Sequence, residues 1–204
     1  MQNIENIIFD LGGVILDIDY NLTRIAFEKL GVVHFDEMYS QANADQLFQK
    51  LETGKITEDQ FYQELNRCTG LNLSPEEIRK AWNSMLLSFR EESLDFLEQI
   101  RPTYKIFLFS NTNYIHINSF KETFHQKKRT KTFEEYFDKA FYSCEIGLRK
   151  PDPASYDWLV KKLNLDPART LFIDDSLHNI EGAKKAGWQT IHLLTGMRIE
   201  DLGL

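Results

Sequence analysis

The chain has little of what staples a small fold or crosses a membrane. Its 204 residues include two cysteines and five prolines. Cys68 and Cys144 lie far apart, with no Cys-x-x-Cys and no clustered histidine, which argues against a disulfide framework or a zinc site. Both are expected to be reduced thiols that behave as small buried apolar residues. No apolar run approaches the roughly 18–20 residues needed to span a bilayer. Asp10 interrupts the only apolar stretch near the N-terminus, and neither a basic segment nor a small-residue cleavage site frames it. No signal peptide and no membrane partner are therefore expected, and the location is read as cytoplasmic. Positive charge is in deficit: 24 Lys and Arg face 31 Asp and Glu, a net charge of −7. That balance argues against nucleic acid, whose phosphates require a basic footprint. What is left, 42% hydrophobic and 27% charged, is ordinary globular composition, enough for one large domain or a core with a smaller lobe.

Two textures alternate along the chain. The first consists of short apolar runs at Ile4–Phe9, Tyr104–Phe109, Lys139–Tyr142, Thr170–Ile173 and Thr190–Leu194. Such runs suit parallel strands covered on both faces. Amphipathic helices are expected between the later ones. Asp152-Pro153 reads as an N-cap and first helical position, and Tyr156, Leu159, Val160 and Leu163 then form one apolar stripe. Ile180, Ala183 and Ala186 mark a second helix, closed by Gly187, and a third covers about residues 113–124. Strand–helix repetition predicts a doubly wound, Rossmann-like α/β core of five parallel strands, residues 1–18 and 90–204.

The second texture, residues 19–89, shows helix signals and no strand. One helix runs from Asn21 to Leu30 and ends at Gly31. Thr57-Glu58-Asp59-Gln60 and Ser74-Pro75-Glu76-Glu77 fit capping boxes. Ile78, Trp82, Met85 and Phe89 continue the latter helix on one stripe. An all-helical lobe inserted after the first strand follows, with hinges near Asp17–Tyr20 and Ser88–Glu91. Its aromatics, among them Phe27, Phe48, Phe61, Tyr62 and Trp82, are expected to fill its own core.

Open α/β sheets bind ligands beyond the carboxyl ends of their strands. There the sequence places Asp10-Leu11-Gly12-Gly13-Val14, Ser110-Asn111, Gly147-Leu148-Arg149-Lys150-Pro151 and Asp174-Asp175, with Asn179 a turn later. Carboxylates, a hydroxyl and amide before a helix, and a cation are the inventory of phosphoryl transfer. Adjacent carboxylates such as Asp174 and Asp175 repel unless a cation lies between them, and an oxygen-only set suits magnesium.

These four motifs, in order and each at a strand end, resemble those of the haloacid dehalogenase-like superfamily. The resemblance covers nearly the whole chain, with the helical lobe as its cap. The Asp-Leu-Gly-Gly-Val opening is most similar to a bacterial branch that includes a glucose-1-phosphate phosphatase. The resemblance implies an Mg²⁺-dependent phosphatase acting on a small phosphorylated metabolite through an aspartyl-phosphate on Asp10. It implies a phosphate oxygen bound by Ser110 and the Asn111 N–H, and Lys150 paired with nucleophile and phosphate. It implies a metal held by Asp10, the Gly12 carbonyl, Asp175 and, as ligand or orienter, Asp174. A monomer or weak homo-oligomer is expected.

The pattern departs from the superfamily at Gly12. Most of its phosphatases carry there a second Asp that protonates the leaving group. General acid help is typically worth about 10²–10⁴ in rate. Asp17, with Asp19 beside it, is the candidate substitute acid. A binding module without turnover is the alternative that Gly12 keeps open; a dehalogenase-type hydrolase is a lesser one, and a phosphomutase fits worse still. Asn179 replaces the usual carboxylate one turn after Asp175. Lys127, Lys128, Arg129 and Lys131 form a basic run, read as a solvated surface loop, with a docking patch for an acidic partner as the sharper alternative. His34, His116, His125, His178 and His192 are scattered and receive no catalytic role.

Overall fold

The computed structural model describes residues 3–33, 35 and 42–204, so His34 lies outside the described residues. In chain order the elements are β1 (Asn6–Phe9), β2 (Leu16–Ile18), α1 (Tyr20–Lys29), α2 (Ala42–Glu52), α3 (Glu58–Thr69), α4 (Pro75–Asn83), β3 (Leu86–Phe89), α5 (Glu91–Ile100), β4 (Lys105–Ser110), α6 (Tyr114–Gln126), β5 (Lys139–Tyr142), α7 (Ser143–Ile146), α8 (Pro153–Leu163), β6 (Thr170–Asp174), α9 (Leu177–Lys185) and β7 (Gln189–His192).

Alternate residues of the apolar runs feed opposite faces of one parallel sheet, ordered β5-β4-β1-β6-β7. Ile7, Phe9, Ile106, Leu108, Leu171 and Ile173 pack on one side. Ile8, Phe107, Phe109, Phe141 and Phe172 pack on the other. Helices cover both faces, so the central strands β1, β4 and β6 are buried at nearly every position, while edge strand β7 is half-buried. Phe9 stands in register with Leu108 of β4 and Ile173 of β6. That register brings the carboxyl ends of three strands, at Asp10, Ser110 and Asp174, to one edge of the sheet.

The helix caps form as the sequence signals them. The Asn113 side chain accepts from the His116 N–H at 3.1 Å to start α6, and Asp152 accepts from the Ala154 N–H at 3.0 Å to start α8. Thr57 and Ser74 build complete capping boxes for α3 and α4. Helices α1 to α4 surround their own apolar cluster, in which Phe27, Phe48, Phe61 and Trp82 are buried. Phe48 stacks on Trp82 with ring centroids 5.0 Å apart.

Three expectations change. The stripe Ile78, Trp82, Met85, Phe89 is not one helix: α4 ends at Asn83, and Leu86–Phe89 is strand β3, antiparallel to β2. Residues 19–89 are therefore not all helical, because a short ribbon links the lobe to the core. The basic run is neither freely solvated nor a bare patch. Lys127 and Arg129 pair with Glu91, Arg129 also with Asp95, and Lys131 with Glu98. The acids fall on one face of α5 at spacings of four and three, so the loop is tied to that helix. Finally, Cys144 is buried as expected, but Cys68 is exposed; both are free thiols.

Gly182 in α9 sits where a Cβ would come within 2.9 Å of the Tyr156 ring and 3.1 Å of the Pro151 carbonyl oxygen. The Tyr156 hydroxyl donates to the Asn179 carbonyl at 2.8 Å, which holds the ring there. Gly182→Ala is expected to cost about 1–3 kcal/mol through overpacking, read as a lower urea midpoint at unchanged slope. An unchanged midpoint would show that the ring and loop yield freely.

Candidate active site

Lys150 is the centre of the site and is 1% exposed. Its ammonium lies 2.8 Å from Asp10 Oδ1 and 2.7 Å from Asp174 Oδ2, and donates to the Phe109 carbonyl at 2.8 Å. All three of its protons thus have acceptors. The Asn111 side chain fixes the Lys150 backbone from both sides: its Oδ1 accepts from the Lys150 N–H at 2.9 Å, and its Nδ2 donates to the Lys150 carbonyl at 2.8 Å. The expected phosphate-binding Asn111 therefore has a second task, carried by its side chain.

Asp174 is wholly buried. Besides Lys150, it accepts from the Ser176 N–H at 2.8 Å and from Asn179 Nδ2 at 3.1 Å. Asn179, whose missing charge weakened the expected metal cage, thus supplies a donor that orients Asp174. Asp10, Asp174 and Asp175 each offer an oxygen within 4.8 Å of the others. Gly13, at φ +69°, carries no side chain because a Cβ there would lie 2.1 Å from Asp175 Oδ2.

Electrostatics follow from three acids around one cation. Burial pushes the Asp10 carboxyl up to about 7; Lys150 opposes that shift and Asp174 adds to it. Asp175 is raised by burial and then by Asp174. Burial lowers Lys150, but Asp10 and Asp174 more than offset it, so the ammonium is held above its ordinary value. Negative charge exceeds what Lys150 neutralises, and an oxygen-only donor set of this kind fits a hard divalent cation.

A cleft of about 310 Å³ opens beside these groups, lined among others by Asp10, Gly12, Ser110, Lys150 and Asp175. Ser110, 3% exposed at the end of β4, borders it as expected.

Residues 4–187 match the haloacid dehalogenase-like hydrolases. The chain belongs to that family. It is 35% identical over 187 residues to the D-ribitol-5-phosphate phosphatase of Bacteroides thetaiotaomicron, covering 92% of this chain and 90% of that one. A HAD-family enzyme of the same organism, crystallised with magnesium and inorganic phosphate, has a TM-score of 0.90 at 32% identity over 98% of this chain and 100% of that one. A HAD-like hydrolase from Porphyromonas gingivalis gives 0.86 at 31% identity, covering 96% and 93%.

This HAD-like hydrolase has no carboxyl at position 12, and Ile18 explains the space: a Cβ on Gly12 would lie 2.9 Å from Ile18 Cδ1. The expected substitute acids do not fill the gap. Asp17 Oδ1 accepts from Arg90 Nε at 2.7 Å, with Arg198 3.6 Å away, and Asp19 caps α1 through the Asn21 N–H. Neither borders the cleft.

Sequence reasoning gave no site role to several polar residues of the cleft wall, among them Glu52, His116, Arg149 and His178. Arg149 and His178 had a signal, since each lies within three residues of a motif position. Glu52 comes from the far end of α2 and had none.

His116 joins the two lobes. Its Nδ1 lies 2.8 Å from Asn83 Oδ1, and its ring stacks on Trp82 at 5.1 Å. Burial drives its pKa from 6.5 down to about 3. An unfolded chain takes up this proton below about pH 6.5, whereas the folded chain refuses it down to about pH 3. The folded pKa is depressed, so this contribution to stability is present above 6.5 and lost as pH falls through that window. The slope is up to ~1.4 kcal/mol per pH unit. His116→Gln is expected to flatten the decline in urea midpoint between pH 7 and 5. An equally steep decline in the variant would assign the loss to other groups.

Proposed function

We propose that this HAD-like hydrolase is an Mg²⁺-dependent phosphatase for small phosphate monoesters, with Asp10 as nucleophile. The single observation that carries the reading is Lys150 Nζ bridging Asp10 and Asp174 at 2.8 and 2.7 Å, with Asp175 close by, at the edge of a cleft. A carboxylate is a weak nucleophile toward a phosphate dianion unless positive charge cancels the repulsion. Lys150 supplies part of that charge and fixes the attacking oxygen. Asp10 forms a bond to phosphorus as the P–O ester bond breaks, and the departing oxygen keeps the bonding pair and takes a proton from solvent water to leave as the alcohol. Water then attacks the aspartyl-phosphate, the bond to Asp10 breaks, and inorganic phosphate departs.

Magnesium, held by Asp10, Asp175 and the Gly12 carbonyl, would neutralise charge on the transferring group. Asp174 serves better as the holder of Lys150, because Lys150, Ser176 and Asn179 already use its lone pairs. Ser110 and the Asn111 N–H, before the N-terminus of α6, bind phosphate oxygens. The 35% identity to a D-ribitol-5-phosphate phosphatase supports a polyol or sugar phosphate as substrate, ahead of glucose 1-phosphate. Gly12 favours the second reading, a ligand-binding module without turnover.

p-Nitrophenyl phosphate separates the two, because its leaving group departs without a proton donor. Phosphate release is expected with Mg²⁺, absent after chelation, and abolished by Asp10→Asn. Asp17→Asn is expected to leave kcat and its pH profile as in the wild type. Mg²⁺-independent release, or none with any monoester of a ribitol 5-phosphate and glucose 1-phosphate panel, would overturn the phosphatase reading.

A further inference from the structure

The wall of the cleft carries one cation and one anion in contact, one from the core and one from the cap. Arg149 Nε lies 2.9 Å from Glu52 Oε2, and both side chains are two-thirds or more buried. Arg149 is on the core loop directly before Lys150, whereas Glu52 ends α2 in the cap. Their spacing is fixed by backbone. Gly54, at φ +64°, lies so close to α7 that a Cβ would stand 2.2 Å from the Cys144 carbonyl oxygen. The turn after α2 is itself closed by the Gly54 N–H to Leu51 and the Lys55 N–H to Lys50 carbonyls, at 3.1 and 2.8 Å. The turn thus brings the end of α2, and with it the Glu52 carboxylate, against the core beside the Arg149 guanidinium.

The phosphoryl group belongs at Asp10 and Lys150, so the rest of a bound monoester extends into the space that this pair borders. An isolated arginine there would attract a second anion, such as the carboxylate of a phosphorylated hydroxy acid. A carboxylate already seated on it removes that attraction and adds repulsion. Hydroxyl groups, which both donate and accept, suit a wall that offers both N–H donors and carboxylate oxygens.

We propose that Glu52 is a specificity-determining residue: seated on Arg149, it selects monoesters whose leaving group is neutral and hydroxylated and turns away those with a second anionic group. This deepens, and rests on, the phosphatase reading above.

The test measures affinities by calorimetry with Mg²⁺ on the Asp10→Asn background, so that it does not need turnover. The ligands are D-ribitol 5-phosphate and 2-phosphoglycolate. Without the Glu52 substitution, the polyol phosphate is expected to bind more tightly. Adding Glu52→Gln is expected to move the ratio of dissociation constants at least about tenfold toward phosphoglycolate. Glu52→Asp, which keeps the charge, is expected to hold the original preference. A smaller shift with Glu52→Gln, an equal shift with Glu52→Asp, or no binding of either ligand to the Asp10→Asn protein overturns the proposal. Failure of Mg²⁺-dependent p-nitrophenyl phosphate turnover by the wild type, with the affinity shift intact, would instead overturn the catalytic reading alone.

Discussion

The placement of one ammonium group organises this molecule. Lys150 is buried, and a buried charge costs several kcal/mol unless it is paired and hydrogen-bonded. Here it meets Asp10, Asp174 and the Phe109 carbonyl, one acceptor from the end of each of three neighbouring strands. The requirement runs both ways. Asp10 and Asp174 would repel each other at the edge of the sheet without the cation, and the cation would not remain buried without them. The parallel register of β4, β1 and β6 is therefore a condition of the site as well as of the core. Asn111 and Asn179 complete the arrangement, one by holding the Lys150 backbone and the other by holding Asp174.

This centre was legible in the sequence for a physical reason. Parallel strands buried on both faces are apolar almost throughout, so the first polar residue after each run marks the carboxyl edge where ligands bind. Asp10, Ser110 and Asp174 all announce themselves in that way. Helix starts were legible too, because caps are local: Thr57, Ser74 and Asp152 need only residues two or three positions ahead.

Features that depend on distant partners were not legible. Met85 and Phe89 continue a helical stripe by spacing, yet β3 pairs with β2, a segment about seventy residues earlier that no periodicity can show. The basic run looked unpaired because Glu91, Asp95 and Glu98 lie some thirty residues upstream on α5. Glu52 carried no signal, since only the fold brings it to Arg149. Asp17 is a further case: its nearness in sequence to Asp10 says nothing of Arg90, whose guanidinium pairs with its carboxylate.

Gly12 shows how these two kinds of information meet. The sequence reveals that no acid stands there, but not what does. In the fold, Ile18 Cδ1 occupies the approach, within 2.9 Å of where a Cβ would begin. Ile18 belongs to β2, the strand whose pairing with β3 ties the cap to the core. A side chain at position 12 would therefore have to turn aside the tip of Ile18, an apolar residue of the ribbon. The cleft is lined by apolar side chains such as Ile18 and Met85 as well as by polar ones such as Glu52, His116 and Arg149. The charged groups at the strand ends are thus held by ion pairs to one another, while the residues that line the rest of the cleft come from both the cap and the core.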